Sequence, residues 1–236
     1  MQITLNELKK DYGGQTVLSI DKLTIETGEL VGIVGNNGAG KTTMLRLILD
    51  LIKADHGYVQ SGEEKVHESF NWKKNTGSYL DEGFLIEFLT PEEYFYFSGE
   101  VYELKPEQVD TLLQPYAHFM GGELMGSGKY IRQLSTGNKQ KAGIIAAMMV
   151  NPALLLLDEP FNYLDPSSQI TIRDLLKQKN RSQQTTMLIS SHNINHLAEI
   201  CSRIILLEKG TIIKDIKPEH GKLEEIDQYF LQQHQR

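Results

Sequence analysis

Cysteine is nearly missing: Cys201 is the single one among 236 residues. One thiol cannot close an intramolecular disulfide, so a disulfide scaffold is excluded and a reducing, cytosolic setting fits. No run of about 18 apolar residues occurs, so no helix is expected to cross a bilayer. No basic start leads into an early apolar stretch, so no secretory signal is expected. Positive charge is also short: 24 Lys and Arg against 31 Asp and Glu give a net charge of −7 and a pI near 5.5. Neutralising phosphates needs a surplus of cations, so no nucleic-acid partner is expected. Repeats and low-complexity linkers are missing too. What remains is an ordinary globular composition, 40% hydrophobic and 23% charged. The length suits one large domain, or one domain with an inserted subdomain.

Glycine, by contrast, is concentrated in "GNNGAGKTT" (35–43). Before it, "ELVGIVG" (29–35) reads as a buried strand through Val31, Ile33 and Val34. After it, Met44, Leu45, Ile48 and Ile52 recur at helical spacing in "KTTMLRLILDLI" (41–52). Glycine lets several backbone N–H groups converge on an anion, and a helix start adds unpaired N–H groups and partial positive charge. Lys41 supplies a full charge for terminal phosphates and Thr42 a hydroxyl for Mg²⁺. Gly35-x4-Gly40-Lys41-Thr42 is thus the P-loop pattern in its strand–loop–helix setting. A dinucleotide fingerprint fits poorly, because Thr43 stands where a third glycine belongs.

Two further strand ends carry chemistry. "ALLLLDEP" (153–160) reads as a doubly covered strand that presents Asp158 and Glu159 at its carboxyl end, where doubly wound sheets place ligands. One carboxylate can hold Mg²⁺ and the other can polarise a water for attack on phosphorus. "TTMLISSH" (185–192) ends at His192, positioned for the γ-phosphate side. His192 and His196 stand at i and i+4, but no third ligand or HExxH glutamate accompanies them, so zinc is rejected.

With these residues in this order, the chain resembles an ABC-type ATPase, the nucleotide-binding subunit of an ABC transporter. "LSTGNKQK" (134–141) resembles the signature motif and "YLDPSS" (163–168) the D-loop, while "RIILLEKGTIIKD" (203–215) is similar to the closing strand pair. The resemblance implies an α/β fold: a P-loop NTPase core with a mainly parallel sheet, an N-terminal antiparallel β subdomain and an inserted helical subdomain. It implies that Gly35, Asn36, Asn37, Gly38, Ala39, Gly40, Lys41, Thr42 and Thr43 surround the phosphates of ATP, with Tyr12 stacked on adenine. Mg²⁺ would lie with Thr42, Asp158 and the Q-loop residue Glu82, and Glu159 and His192 would serve hydrolysis. Ser135, Gly137, Asn138 and Asp165 would complete the site from a facing copy. One set of motifs per chain then implies a homodimer, or a pairing with a second ATPase subunit.

The same residues carry simpler readings. Asp165-Pro166 is also a good helix start, Ser135 can cap the helix after it, and Tyr12 can be an ordinary strand aromatic. Departures from the family pattern are Thr136 and Asn138 in the signature and Glu82 in "SYLDEGFL" (78–85), where a glutamine is usual. A carboxylate cannot donate as an amide does. Glu82 resembles the ATPases of ABC-2-type exporters and leans the expectation towards export.

The expected layout is one domain over 1–236, with a β-rich portion at 1–30 that returns at about 56–80 and a helical insertion at about 84–148. In "LTPEEYFYF" (89–97), Thr90 and Glu93 form a capping box around Pro91. Tyr94, Phe95, Tyr96 and Phe97 cannot all be core; two or three buried is one reading, a docking groove for a membrane subunit the other. A terminal helix is expected from Leu223, Ile226, Tyr229 and Phe230. The implied function is ATP hydrolysis that powers a separate transmembrane permease, from a cytoplasmic position at the inner face of the membrane. A soluble partner such as a ribosome or scaffold is the alternative; a P-loop kinase or GTPase would leave the signature unexplained.

Overall fold

A computed structural model describes residues 1–217. The expected terminal helix lies outside the described residues. Strands β1 (Ile3–Tyr12) and β2 (Gln15–Ile25) pair antiparallel through the tight Gly13-Gly14 turn. With β4 (His56–Ser61) and β5 (Glu64–Lys65) they form a four-stranded sheet in the order β2-β1-β4-β5. Their alternating burial, with Ile3, Leu5, Ile20, Leu23 and Val59 inward, is the pattern of a sheet covered on one face.

The second sheet contains β3 (Leu30–Val34), β6 (Thr76–Tyr79), β7 (Leu154–Leu157), β8 (Thr186–Ser191), β9 (Arg203–Glu208) and β10 (Thr211–Ile216), in the order β10-β9-β3-β8-β7-β6. All neighbours are parallel except the β9–β10 hairpin. Every residue of β3, β7 and β8 is buried, as strands covered on both faces require. The β-rich return therefore ends at Lys65 rather than near residue 80. Thr76–Tyr79 pairs in register with Leu154–Leu157 instead, because Thr76, Gly77 and Tyr79 are buried against the core.

Helix α1 (Lys41–Ile48) covers one face. It stops four residues before the expected end, since Asp50 takes the left-handed φ of 54°. Helices α2 (Pro91–Val101), α3 (Pro106–Leu113) and α4 (Ala117–Met120) form the helical region. The Thr90/Glu93 capping box opens α2. Of its aromatics Phe95 is fully buried and Tyr94 partly so, whereas Tyr96 and Phe97 face outward. Helix α5 (Thr136–Met149) ties this region to the parallel sheet. A Cβ on its Gly143 would lie 2.2 Å from the Tyr79 ring, so the helix reaches contact distance only with glycine there. Helices α6 (Pro166–Gln183) and α7 (Ile194–Ala198) complete the described chain. Among the described residues no helix is long and apolar enough to cross a membrane.

Candidate nucleotide site

Residues 35–40 leave the end of β3 and turn directly into α1. A Cβ on Gly35 would lie 2.3 Å from the Leu207 carbonyl oxygen, and Gly40 has a φ of 104° with Val17 O 3.0 Å from the same imagined atom. The loop is therefore wedged between the starts and ends of other strands, and Gly210 N–H donates to Ala39 O at 2.9 Å. Asn37 and Gly38 form its exposed apex. Lys41 curls beneath it, 6% exposed, and its Nζ donates to Gly35 O at 2.7 Å and Asn36 O at 3.3 Å. Thr43, one residue beyond Thr42 in the first turn of α1, is half-buried.

The acidic pair arrives from β7. Strand β8 lies between β7 and β3, so the two ends meet across its tip rather than side by side. Thr42 Oγ1 donates to Asp158 Oδ2 at 2.5 Å, and the Ser190 hydroxyl donates to Asp158 Oδ1. Burial raises the Asp158 carboxyl above the usual range, while these two hydroxyl bonds pull the other way. Glu159 takes a left-handed φ of 48°. Its Oε1 lies 3.3 Å from Lys41 Nζ, and its Oε2 lies 2.9 Å from His192 Nδ1 and accepts the His192 N–H at 3.2 Å. Oε1 is buried without an aligned hydrogen bond, so Lys41 meets it as a charge only.

Lys41, Thr42, Asp158, Glu159 and His192 are thus gathered at one point. Tyr12 is not part of that cluster; it stands at the end of β1, about half exposed, with Lys10 Nζ 5.2 Å above its ring. Its hairpin runs back through Val17, the residue that abuts Gly40. Ser135, Gly137 and Asn138 form a separate surface. Ser135 caps α5 by accepting the Asn138 N–H at 3.3 Å, and the Asn138 amide donates to Glu123. A Cβ on Gly137 would lie 2.6 Å from Tyr163 O. Asp165 caps α6, accepting from Ser168 N–H at 3.0 Å and from the Ser167 and Ser168 hydroxyls, which hold its carboxyl well below the ordinary range.

Glu82 is the expectation that the structure does not bring to the site. It opens a short 3₁₀ turn, Glu82–Phe84, capped by Asp81, and pairs with Lys139 on α5 at 3.2 Å. Among the described residues no polar contact joins it to Thr42 or Asp158. His196 is half-buried and packs its ring against Phe161 with centroids 5.0 Å apart, and burial lowers its pKa, in keeping with a packing role. Sequence reasoning missed Ser190 and Gln140. The first braces both acids and the second donates to the Glu159 carbonyl at 2.9 Å. Ser190 left a weak signal, a hydroxyl within a strand buried throughout, but Gln140 stands between Lys139 and Lys141 in a polar run and left none.

The donor set fits a magnesium nucleotide. One hydroxyl and one carboxylate side by side are a partial Mg²⁺ shell that leaves positions for phosphate oxygens and water. No cluster of three or more His, Cys, Asp or Glu suited to a metal occurs among the described residues. At Gly38 nothing lies within 4 Å of an imagined Cβ, so the loop apex is open to an approaching anion.

Comparison with known proteins agrees. Residues 18–162 match the family profile described as ABC transporter. The chain belongs to the ABC transporter family. As an ATP-binding subunit of that family it is an ATPase. It is 34% identical over 218 residues to the tungstate uptake system ATP-binding protein TupC of Peptoclostridium acidaminophilum, covering 90% of this chain and 97% of that one. It is 33% identical to the methionine import ATP-binding protein MetN 2 of Bacillus cereus, covering 91% of this chain and 66% of the relative. Among solved structures, a bacterial ABC transporter cassette determined as a dimer superposes with a TM-score of 0.82 at 28% identity, covering 92% of this chain and 99% of that one. The same cassette in a post-hydrolysis state bound to ADP and Pi gives 0.78 at 27%, with the same coverage. Both relatives are uptake or import systems by name, so the export expectation drawn from Glu82 finds no support in them.

Proposed function

We propose that this ATP-binding subunit is a single cassette over its whole length, works as a dimer and powers a separate transmembrane permease from the cytoplasmic face of the membrane. Lys41 and the loop amides grip the phosphates of ATP, Tyr12 stacks on its base, and Thr42 and Asp158 hold Mg²⁺. When bound, the cation neutralises charge building on the phosphates. Glu159 accepts a proton from the attacking water and His192 steadies the terminal phosphate. Ser135, Gly137 and Asn138 of a facing copy, with Asp165 beside them, close the site. The observation that carries this reading is the Lys41–Glu159–His192 chain of contacts beside the Thr42–Asp158 pair, which puts cation, metal ligands and base within one reach.

The permease has a suitable seat. A groove of about 530 Å³ is lined by Leu49, Leu51, Leu80, Phe84, Val101 and Tyr102 together with the charged Lys73, Lys74 and Glu103. Leu51, Phe84 and Val101 are exposed there, so the groove holds apolar surface that a partner would cover. In this reading docking falls at the carboxyl end of α2, just beyond the Tyr94–Phe97 run. Purified protein should hydrolyse ATP only with Mg²⁺ and dimerise when ATP is added, and a polytopic membrane protein should co-purify with it. Intact Lys41 with no measurable affinity for Mg-ATP by calorimetry would end the reading.

A further inference from the structure

Glu159 is held by its backbone from two directions. Its N–H donates to Ser190 Oγ at 2.9 Å, and its carbonyl accepts from Gln140 Nε2 at 2.9 Å and from Asn162 N–H at 3.2 Å. The residue sits at a φ of 48°, a left-handed conformation uncommon for a side chain of this kind and here fixed by those three backbone hydrogen bonds. Gln140 is 5% exposed and stands on α5, which Ser135 caps. It lies five residues past that cap, roughly 7–8 Å along the axis at 1.5 Å per residue. A buried amide in this helix therefore spends its donor on the backbone of one residue, the carboxylate assigned as base.

Resting on the function proposed above, we infer that Gln140 is a positioning residue for hydrolysis: it transmits the stance of the signature helix to the Glu159 carboxylate of the same chain. The side chain of Glu159 leaves its left-handed backbone to meet Lys41 and His192. If the carbonyl loses one anchor, the peptide can relax and the carboxylate moves off the water. Lys41 keeps its two backbone acceptors, Gly35 O and Asn36 O, when the carboxylate shifts, so the phosphate grip holds and binding is spared. A small misplacement of a reacting group is costly to chemistry while leaving affinity intact.

The test uses Gln140→Met, which keeps length and removes the donor. Expected are a kcat lowered about tenfold to a hundredfold and a KM for ATP within about twofold of the parent. Combined with Glu159→Gln, where chemistry is already stalled, the same change should leave the ATP concentration for half-maximal dimer formation within about twofold. Unchanged kcat overturns the inference. So does a loss of ATP affinity or of dimerisation by severalfold in both backgrounds, which marks a structural role. Gln140→Asn, one methylene short of the carbonyl, serves the same comparison should the methionine variant fail to fold. A parent protein without ATP turnover would sink the function itself; an active parent indifferent to Gln140 would sink only this assignment.

Discussion

The cluster at the P-loop takes Lys41 and Thr42 from one helix start, Asp158 and Glu159 from a strand end, and Ser190 and His192 from the tip of the next strand, and these side chains hold one another. On the signature face Ser135, Gly137 and Asn138 lie within four residues, and Ser135 caps its own helix. The first surface is made by tertiary folding and holds buried charge against the cost of desolvation. The second is built on a helix cap, with Gly137 packed close to Tyr163 O and the Asn138 amide donating to Glu123, and in the function proposed above it serves a facing copy. A buried charged site is a burden on the fold, whereas a cap is an asset to it. The two faces should therefore respond to damage with opposite signs in stability while failing alike in turnover.

The largest effect that sharpens this contrast is Glu159→Gln. Loss of a general base costs about 10²–10⁴ in rate, so turnover should nearly vanish while ATP-bound dimer accumulates on gel filtration; undiminished turnover would break the assignment. Gly137→Val comes next. Its first side-chain carbon would meet Tyr163 O, which lies 2.6 Å from an imagined Cβ, and overpacking of this kind costs about 1–3 kcal/mol. ATP-dependent dimerisation should be lost while monomer affinity for Mg-ATP, read by calorimetry, stays close to the parent's.

The smallest effects decide the sign. Ser135→Ala removes a helix cap and should lower stability by about 1 kcal/mol, or Tm by roughly 2–4 °C for a chain of this size. Asp158→Asn should do the reverse. Burial raises the folded-state pKa of Asp158 above its unfolded value, so the folded state holds more protons just above the usual carboxylate range. Stability then falls as pH rises through that window and the cost is fully present at neutral pH. The neutral amide should raise stability by about 1 kcal/mol and abolish Mg²⁺-dependent turnover. At low pH, where Asp158 is protonated, the advantage should disappear in denaturant titrations. A destabilised Asp158→Asn at neutral pH would refute the contrast.

Legibility in the sequence follows the same division. The P-loop and the acidic strand end were readable because a few contiguous residue types impose their geometry: glycines that must approach neighbouring backbone, then a cation at a helix start. The apolar runs that became β3, β7 and β8 were readable as strands, whereas the separate antiparallel sheet of β1 and β2 was expected only from the family resemblance. The roles of Ser190 and Gln140 were not readable, because each acts through contacts 31 and 19 residues away in the chain. Glu82 shows the same limit. Its neighbours in sequence recommended a metal role, but the turn it opens points it at Lys139, a partner that only the packing of α5 supplies. Thr76–Tyr79 was assigned to the wrong sheet because a four-residue strand carries too little pattern to tell which neighbour it will pair with.

The strand order holds a consequence for how the molecule comes off the ribosome. β3 pairs with β8 on one edge and β9 on the other, so Leu30–Val34 meets its neighbours only after residues near 186 and 203 have been synthesised. A nascent chain that already displays the whole glycine loop still lacks the strands that brace it. Nucleotide can then reward folding only at its last stage, and the long wait of an unpaired apolar strand is the stretch of biosynthesis in which chaperones have most to do.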